Sequence, residues 1–162
     1  MDKYFDGIYA SELAGEADDS PLKYVKRCVT FTEKTRYIFE INKGLDHEKA
    51  RRNPYEVNLD VPPEARRVRL SNMVYLGDGL TNVPYFSLIG RAGGTVFGVF
   101  SATEIAKAKR AFLEFLEPGR VTSAYTARYR NSDDLGIMLR TAVTAKATSI
   151  LVQREAPYEK GN

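Results

Sequence analysis

Apolar positions along the chain change their period several times, and each change marks an element. Phe5 to Ala10 is a short β-prone run, followed by a small and acidic loop from Ser11 to Pro21. Tyr24 to Phe31 alternates and carries β-branched residues, which predicts a second strand. Thr32 then precedes EKTRYIFEINKG, in which Tyr37, Ile38 and Ile41 share a helical face. Thr32 is the expected N-cap and Gly44 the expected stop, with Lys43 in the last turn. From Leu45 to Asn72 the chain is polar and broken by Pro54, Pro62 and Pro63, with room for one or two helical turns between Asp46 and Arg52.

The second half is more regular. Met73 to Leu76 is a continuous apolar run bounded by GDG, the pattern of a buried parallel strand entering a tight turn. Val83 to Ile89 reads as a helix, with Pro84 tolerated in its first turn and Gly93-Gly94 ending it. Thr95 to Phe100 is the next buried strand. Thr103 is positioned to cap a helix to Leu116 with Ile105, Ala108, Phe112, Leu113 and Leu116 as its apolar stripe. Val121 to Tyr129 is strand-like. Ser132 precedes a last helix in which Leu135, Met138, Leu139, Ala142 and Val143 recur at helical spacing.

Strands alternating with helices predict an α/β fold with a mainly parallel sheet. One domain over residues 1–155 and a polar tail over 156–162 account for the chain. Composition agrees: 43% of residues are hydrophobic and 28% charged, with 8 Phe and 10 Tyr, which suits a folded core and excludes a disordered or fibrous chain. The formal charge of +3 permits anionic partners without calling for nucleic acid. Arg51, Arg52, Arg66, Arg67 and Arg69 concentrate positive charge in the polar stretch, either as a solvated surface or as an anion-binding patch. Cys28 is the sole cysteine, so no internal disulfide forms; a small core hydrophobe is its expected role. The single histidine, His47, supports neither a histidine triad nor a multi-histidine metal site, and it is expected to be exposed. No basic-then-apolar leader opens the sequence and no apolar run approaches about 18 residues, so a cytoplasmic protein without a membrane partner is expected.

The segment MVYLGDGLTNVPYFSLIGRAGGTVFGVF, Met73 to Phe100, resembles the last signature motif of haloacid-dehalogenase-type phosphohydrolases. A hydrophobic strand, GDG, a polar residue four positions after the aspartate, a helix and a second strand follow in the family's order. FTEKTRYIFEINKG resembles the region that carries the family's phosphate-neutralising lysine, and IYASE at Ile8 to Glu12 resembles the strand before it. The resemblance implies a three-layer, truncated Rossmannoid fold with helices flanking the sheet. It implies that Asp78 helps hold Mg²⁺, that Asn82 stands where the family has a second acid, and that Lys34 offsets charge on a transferring phosphoryl group. The plainer readings of the same residues are a turn aspartate bonded to its own backbone and an exposed first-turn lysine.

Two of the family's motifs have no counterpart. No two aspartates of the chain are separated by one residue, so the D-x-D pattern that supplies nucleophile and acid–base is lacking. The second motif's Ser or Thr is expected before Met1, since Ser11 follows a later strand. The chain therefore reads as the C-terminal part of such a hydrolase: inactive alone, retaining a vestigial Mg²⁺ and phosphate site, and acting as a binding or oligomeric module. The alternatives are one half of a two-piece Mg²⁺-dependent phosphatase and an anion-binding protein that uses the Arg51 to Arg69 stretch. In the family the nucleophile strand lies beside the GDG strand. Its loss leaves Met73 to Leu76 as an apolar edge, to be covered by a local strand such as Tyr24 to Phe31, by a partner chain or, as the expected solution, by a second copy in a homodimer.

Overall fold

The computed structural model describes residues 4–15 and 23–155, which fall into two compact units, Met1–Arg69 and Leu70–Asn162. In the first unit β1 (Glu12–Gly15) pairs antiparallel with β2 (Lys23–Arg27). The β-prone run at Phe5 to Ala10 forms no strand, whereas Glu12–Gly15, inside the segment expected to be a loop, does. Strand state here follows from having a partner, since β propensity reflects cross-strand packing more than an intrinsic backbone preference. β2 ends at Arg27, which leaves Cys28 exposed in the connection to the first helix and not in a core.

Helix α1 (Phe31–Lys43) is capped by Thr30 and not by Thr32. The Thr30 hydroxyl accepts from the Glu33 amide while the Glu33 carboxylate accepts from the Thr30 amide, a reciprocal box that satisfies two orphan donors. Gly44 closes the helix in the left-handed region at φ 71°. Tyr37 and Ile38 are buried as the periodicity predicts, but Ile41 is exposed, and Glu40 and Asn42 go inside instead. Burial is made tolerable by partners: Arg36 pairs with Glu40 at 2.9 Å, and the Asn42 amide donates to the Val68 carbonyl at 2.7 Å. The polar stretch after Gly44 is organised, not a loop. It holds α2 (His47–Arg52), capped by Asp46, and 3₁₀ turns at Pro54–Asn58 and Pro63–Ala65. Arg51 pairs with Glu12 at 3.1 Å and Arg66 donates to the Val61 carbonyl, so part of the basic run is spent within the unit. His47 opens α2, and its side chain lies outside the described part of the structure.

The second unit is a three-stranded parallel sheet, β3 (Val74–Gly77), β4 (Thr95–Phe100) and β5 (Ser123–Thr126), in that order. Helix α3 (Val83–Arg91) connects β3 to β4, α4 (Ile105–Ala111) connects β4 to β5, and α5 (Asp134–Glu155) follows β5. Val96 to Val99 of β4 are all buried, because both faces of the sheet are covered. On one face Phe97, Val99, Val74, Leu76 and Tyr125 pack with Leu135, Met138, Leu139 and Ala142 of α5. On the other, Tyr75 packs its ring 5.9 Å from those of Tyr85 and Phe86 in α3, and Phe86 meets Phe115 edge-on at 5.4 Å. A mixed α/β unit with helices on both faces of a parallel sheet is therefore observed. Among the described residues β3 has a neighbour on its β4 side alone, and β2 pairs with β1 in a separate sheet.

The stripe expected on α4 is not the buried one. Ile105 is 89% exposed, and Phe112 and Leu113 are exposed as well; Ala111 and Phe115 are the buried residues. For Phe112 and Leu113 the cause is a π-helical turn, Phe112–Leu116, in which the Glu117 amide reaches back five residues to the Phe112 carbonyl. One extra residue per turn rotates the inward face and brings Phe115 beneath Gly98, where a side chain on Gly98 would lie 3.3 Å from the ring. Helix α4 also starts at Ile105, because the Thr103 hydroxyl bonds to Ser101 and does not cap it.

Helix α5 begins at Asp134, with the Ile137 amide bonded to the Asp133 carbonyl, so its entry lies after the expected cap Ser132. The polar tail after Glu155 lies outside the described residues. By length and composition Asp134–Arg154 is apolar enough to cross a bilayer, and most of it is exposed. Gly136 in its first turn is buried, and a Cβ there would fall 2.0 Å from the Arg130 carbonyl oxygen. Gly136→Ala is therefore expected to lower stability by about 1–3 kcal/mol through overpacking against backbone. An unchanged urea midpoint would show that the Arg130 turn moves aside at no cost.

Candidate functional site

The turn after β3 is shaped by an absent side chain. A Cβ on Gly77 would lie 2.8 Å from Asn82 Cβ and equally close to the Phe86 ring, so only glycine lets α3 return this close to the strand. Asn82 is buried in the space gained and stands at the N-terminus of α3 without capping it. Its side chain is engaged elsewhere. The Tyr75 hydroxyl donates to Asn82 Oδ1 at 2.9 Å, and Asn82 Nδ2 lies 3.4 Å from Asp78 Oδ1. An amide can accept from a phenol and donate to a carboxylate at once, which an aspartate at 82 could not do. Burial, followed by the neighbouring Tyr85 and Asp78, pushes the Tyr75 phenol up to about 12, so it remains a neutral donor at ordinary pH.

Asp78 itself is exposed and looks into a cleft of about 540 Å³ at the carboxyl ends of the strands. That is the crevice in which open α/β sheets bind ligands. Its back wall is apolar, from Val99, Phe100, Ala111 and Phe115, and its rim carries Ser101, Thr103, Lys107, Arg110 and Arg128. Lys107 pairs with Glu104 at 2.8 Å and Arg110 with Glu114 at 2.9 Å. Such exposed pairs hold their partners weakly and yield to a stronger anion. Arg128 has no ion-pair partner among the described residues. Three cations and one carboxylate thus face a cavity of small-molecule size.

Of the residues singled out from sequence, Asp78 and Asn82 are brought together. Lys34 lies in the first unit, half-buried in the first turn of α1, with no ion-pair partner among the described residues. Asn82 serves Asp78 and Tyr75, and its amide oxygen is already taken by the phenol. No group of three or more His, Cys, Asp and Glu side chains is gathered among the described residues. The donors in the cleft therefore fit an anion better than a resident Mg²⁺, for which Asp78 supplies one carboxylate. Tyr75, Lys107, Arg110 and Arg128 were not singled out from sequence. Arg128 carried no usable signal, because the strand expected over Val121 to Tyr129 runs past it, and it borders the crevice through the observed strand end at Thr126.

No family model matches the chain, and no solved structure matches it. A protein of Borreliella burgdorferi, described as an uncharacterized protein, is 41% identical over 61 residues, which are 38% of this chain and 19% of that one. The match thus spans about a fifth of the relative's length.

Because folding raises the Tyr75 pKa, the unfolded chain loses this proton first as pH rises. The phenol's contribution is intact below pH 10 and is lost between pH 10 and about 12. The thermal midpoint is expected to fall across that window, and Tyr75→Phe to make the fall shallower. Parallel curves for the two proteins would remove Tyr75 from the titration.

Proposed function

We propose that this chain is a haloacid-dehalogenase-like domain that binds a phosphate-bearing ligand in the Asp78 cleft without turning it over by itself. The observation that carries the reading is the pairing of the GDG turn with a cleft rimmed by Lys107, Arg110 and Arg128. A phosphate ester suits this lining, since its oxygens accept from the guanidinium and ammonium donors while its organic part meets Val99, Phe100 and Phe115.

The lack of turnover rests on the sequence. Phosphoryl transfer through a covalent intermediate needs a carboxylate placed to attack phosphorus, and a second group to move the proton. Among the described residues Asp78 is the one carboxylate lining the cleft, and the sequence holds no D-x-D pattern. Asp78 would hold Mg²⁺ together with the ligand's own phosphate, as this ion commonly does, and the ion would offset the phosphate charge. Asp78 has its orientation set by the Tyr75–Asn82 chain, and the cations of the rim hold the ligand.

A second reading, half of a two-piece phosphatase completed by another chain, is favoured by one observation: among the described residues β3 has no strand on the side away from β4. A strand added there would approach Asp78 from the side opposite β4.

Calorimetric titration with phenyl phosphate, with and without Mg²⁺, tests the proposal alongside a phosphatase assay on p-nitrophenyl phosphate. Saturable binding, weakened about tenfold or more in Arg128→Gln, is expected, with no turnover. Mg²⁺-dependent hydrolysis abolished by Asp78→Asn would overturn the claim of inactivity, and failure to bind in either condition would remove the cleft's assigned role.

A further inference from the structure

Helix α5 is longer than anything it packs against. Its 22 residues extend about 33 Å, whereas the strands of four to six residues beneath it extend about 13–20 Å. Leu135, Met138, Leu139 and Ala142 face the sheet. Lys146 anchors the helix on that side, its ammonium donating to the carbonyls of Ser71 and Gly93. Beyond it the helix continues with Leu151 56% exposed and Val152 exposed as well.

The outward side has an order of its own. Ile137, Thr141, Thr144, Thr148 and Leu151 recur at alternating steps of four and three, the spacing of a coiled-coil seam, and all five are exposed. The seam lies on the side opposite Leu139 and Lys146. Large ends and a small centre make it self-complementary. Turned about a two-fold axis at Thr144, the helix puts Ile137 opposite Leu151 of a second copy. The same operation brings the acidic end at Asp134 beside the basic end at Arg154 and opposes the two helix dipoles. It also seats the overhanging half of each helix on the supported half of the other.

We propose that α5 is the interface of a two-fold homodimer in which two copies of this helix pack antiparallel and cross at Thr144. The threonines let the backbones approach, and each patch is used on both copies, as an isologous contact requires. A bilayer is the competing occupant by length and composition. It fits less well, because Arg140 and Lys146 lie inside the apolar stretch and the inward side is occupied by the sheet.

The test uses the full chain in a Cys28→Ser background, since Cys28 is exposed. Light scattering at tens of micromolar is expected to report a dimer. Thr144→Cys should cross-link under a mild oxidant, because residue 144 meets itself at the axis, and Val143→Cys should not. Thr144→Lys, which juxtaposes two charges at the axis, should weaken association about tenfold or more with helical circular dichroism unchanged. Monomeric wild-type protein, equal cross-linking at 143 and 144, or a dimer indifferent to Thr144→Lys would each overturn the proposal. So would a monomer that instead co-sediments with phosphatidylglycerol vesicles.

Discussion

Coverage of β4 on both faces is the constraint from which the second unit follows. A strand reading TVFGVF has no polar side to give to water, so the chain must supply helices above and below it. Helix α5 meets Phe97 and Val99; the aromatic group of Tyr75, Phe86 and Phe115 closes the other side, where Gly98 leaves room for the last ring. With the sheet fixed in this way, its carboxyl ends are the places where the backbone leaves regular structure. Asp78, Ser101 and Arg128 are brought to one cleft by that geometry, from three separate stretches of sequence.

Behind Asp78, the buried Asn82 bears on the charge of the cleft. Its buried amide links a neutral phenol to Asp78 and adds neither a proton equilibrium nor a second negative charge. A carboxylate at this position would face Asp78 across a few ångströms and leave the Tyr75 hydroxyl as its sole described donor. The amide leaves a single acid facing Lys107, Arg110 and Arg128, where a carboxylate would have made two.

Where sequence and structure agree, the pattern was local and repeated. The runs expected at Met73 to Leu76, one residue before the observed Val74–Gly77, and at Thr95–Phe100, with the glycine-flanked helix between them, could be read directly, because each has one period and clear stops. The first unit was harder. Strand β1 depends on β2 across a separation in sequence, and the buried face of α1 includes Glu40 and Asn42, which hydropathy assigns to solvent. Asp78 could be singled out from its motif. Arg128 could not be weighed without knowing that Thr126 ends a strand beside β4, and the role of Tyr75 depends on a hydrogen bond across the turn.

The π turn at Phe112–Leu116 has a consequence for how this segment can vary. Its two sides obey different helical registers, joined by one surplus residue, so the distance along the chain between the cleft rim at Arg110 and the core ring at Phe115 is itself a structural quantity. Exchanging one exposed residue for another at Phe112 or Leu113 leaves that count intact. Losing a single residue would regularise the hydrogen bonds locally and swing Phe115 away from Gly98. Chain length in this turn is thus under tighter constraint than side-chain identity.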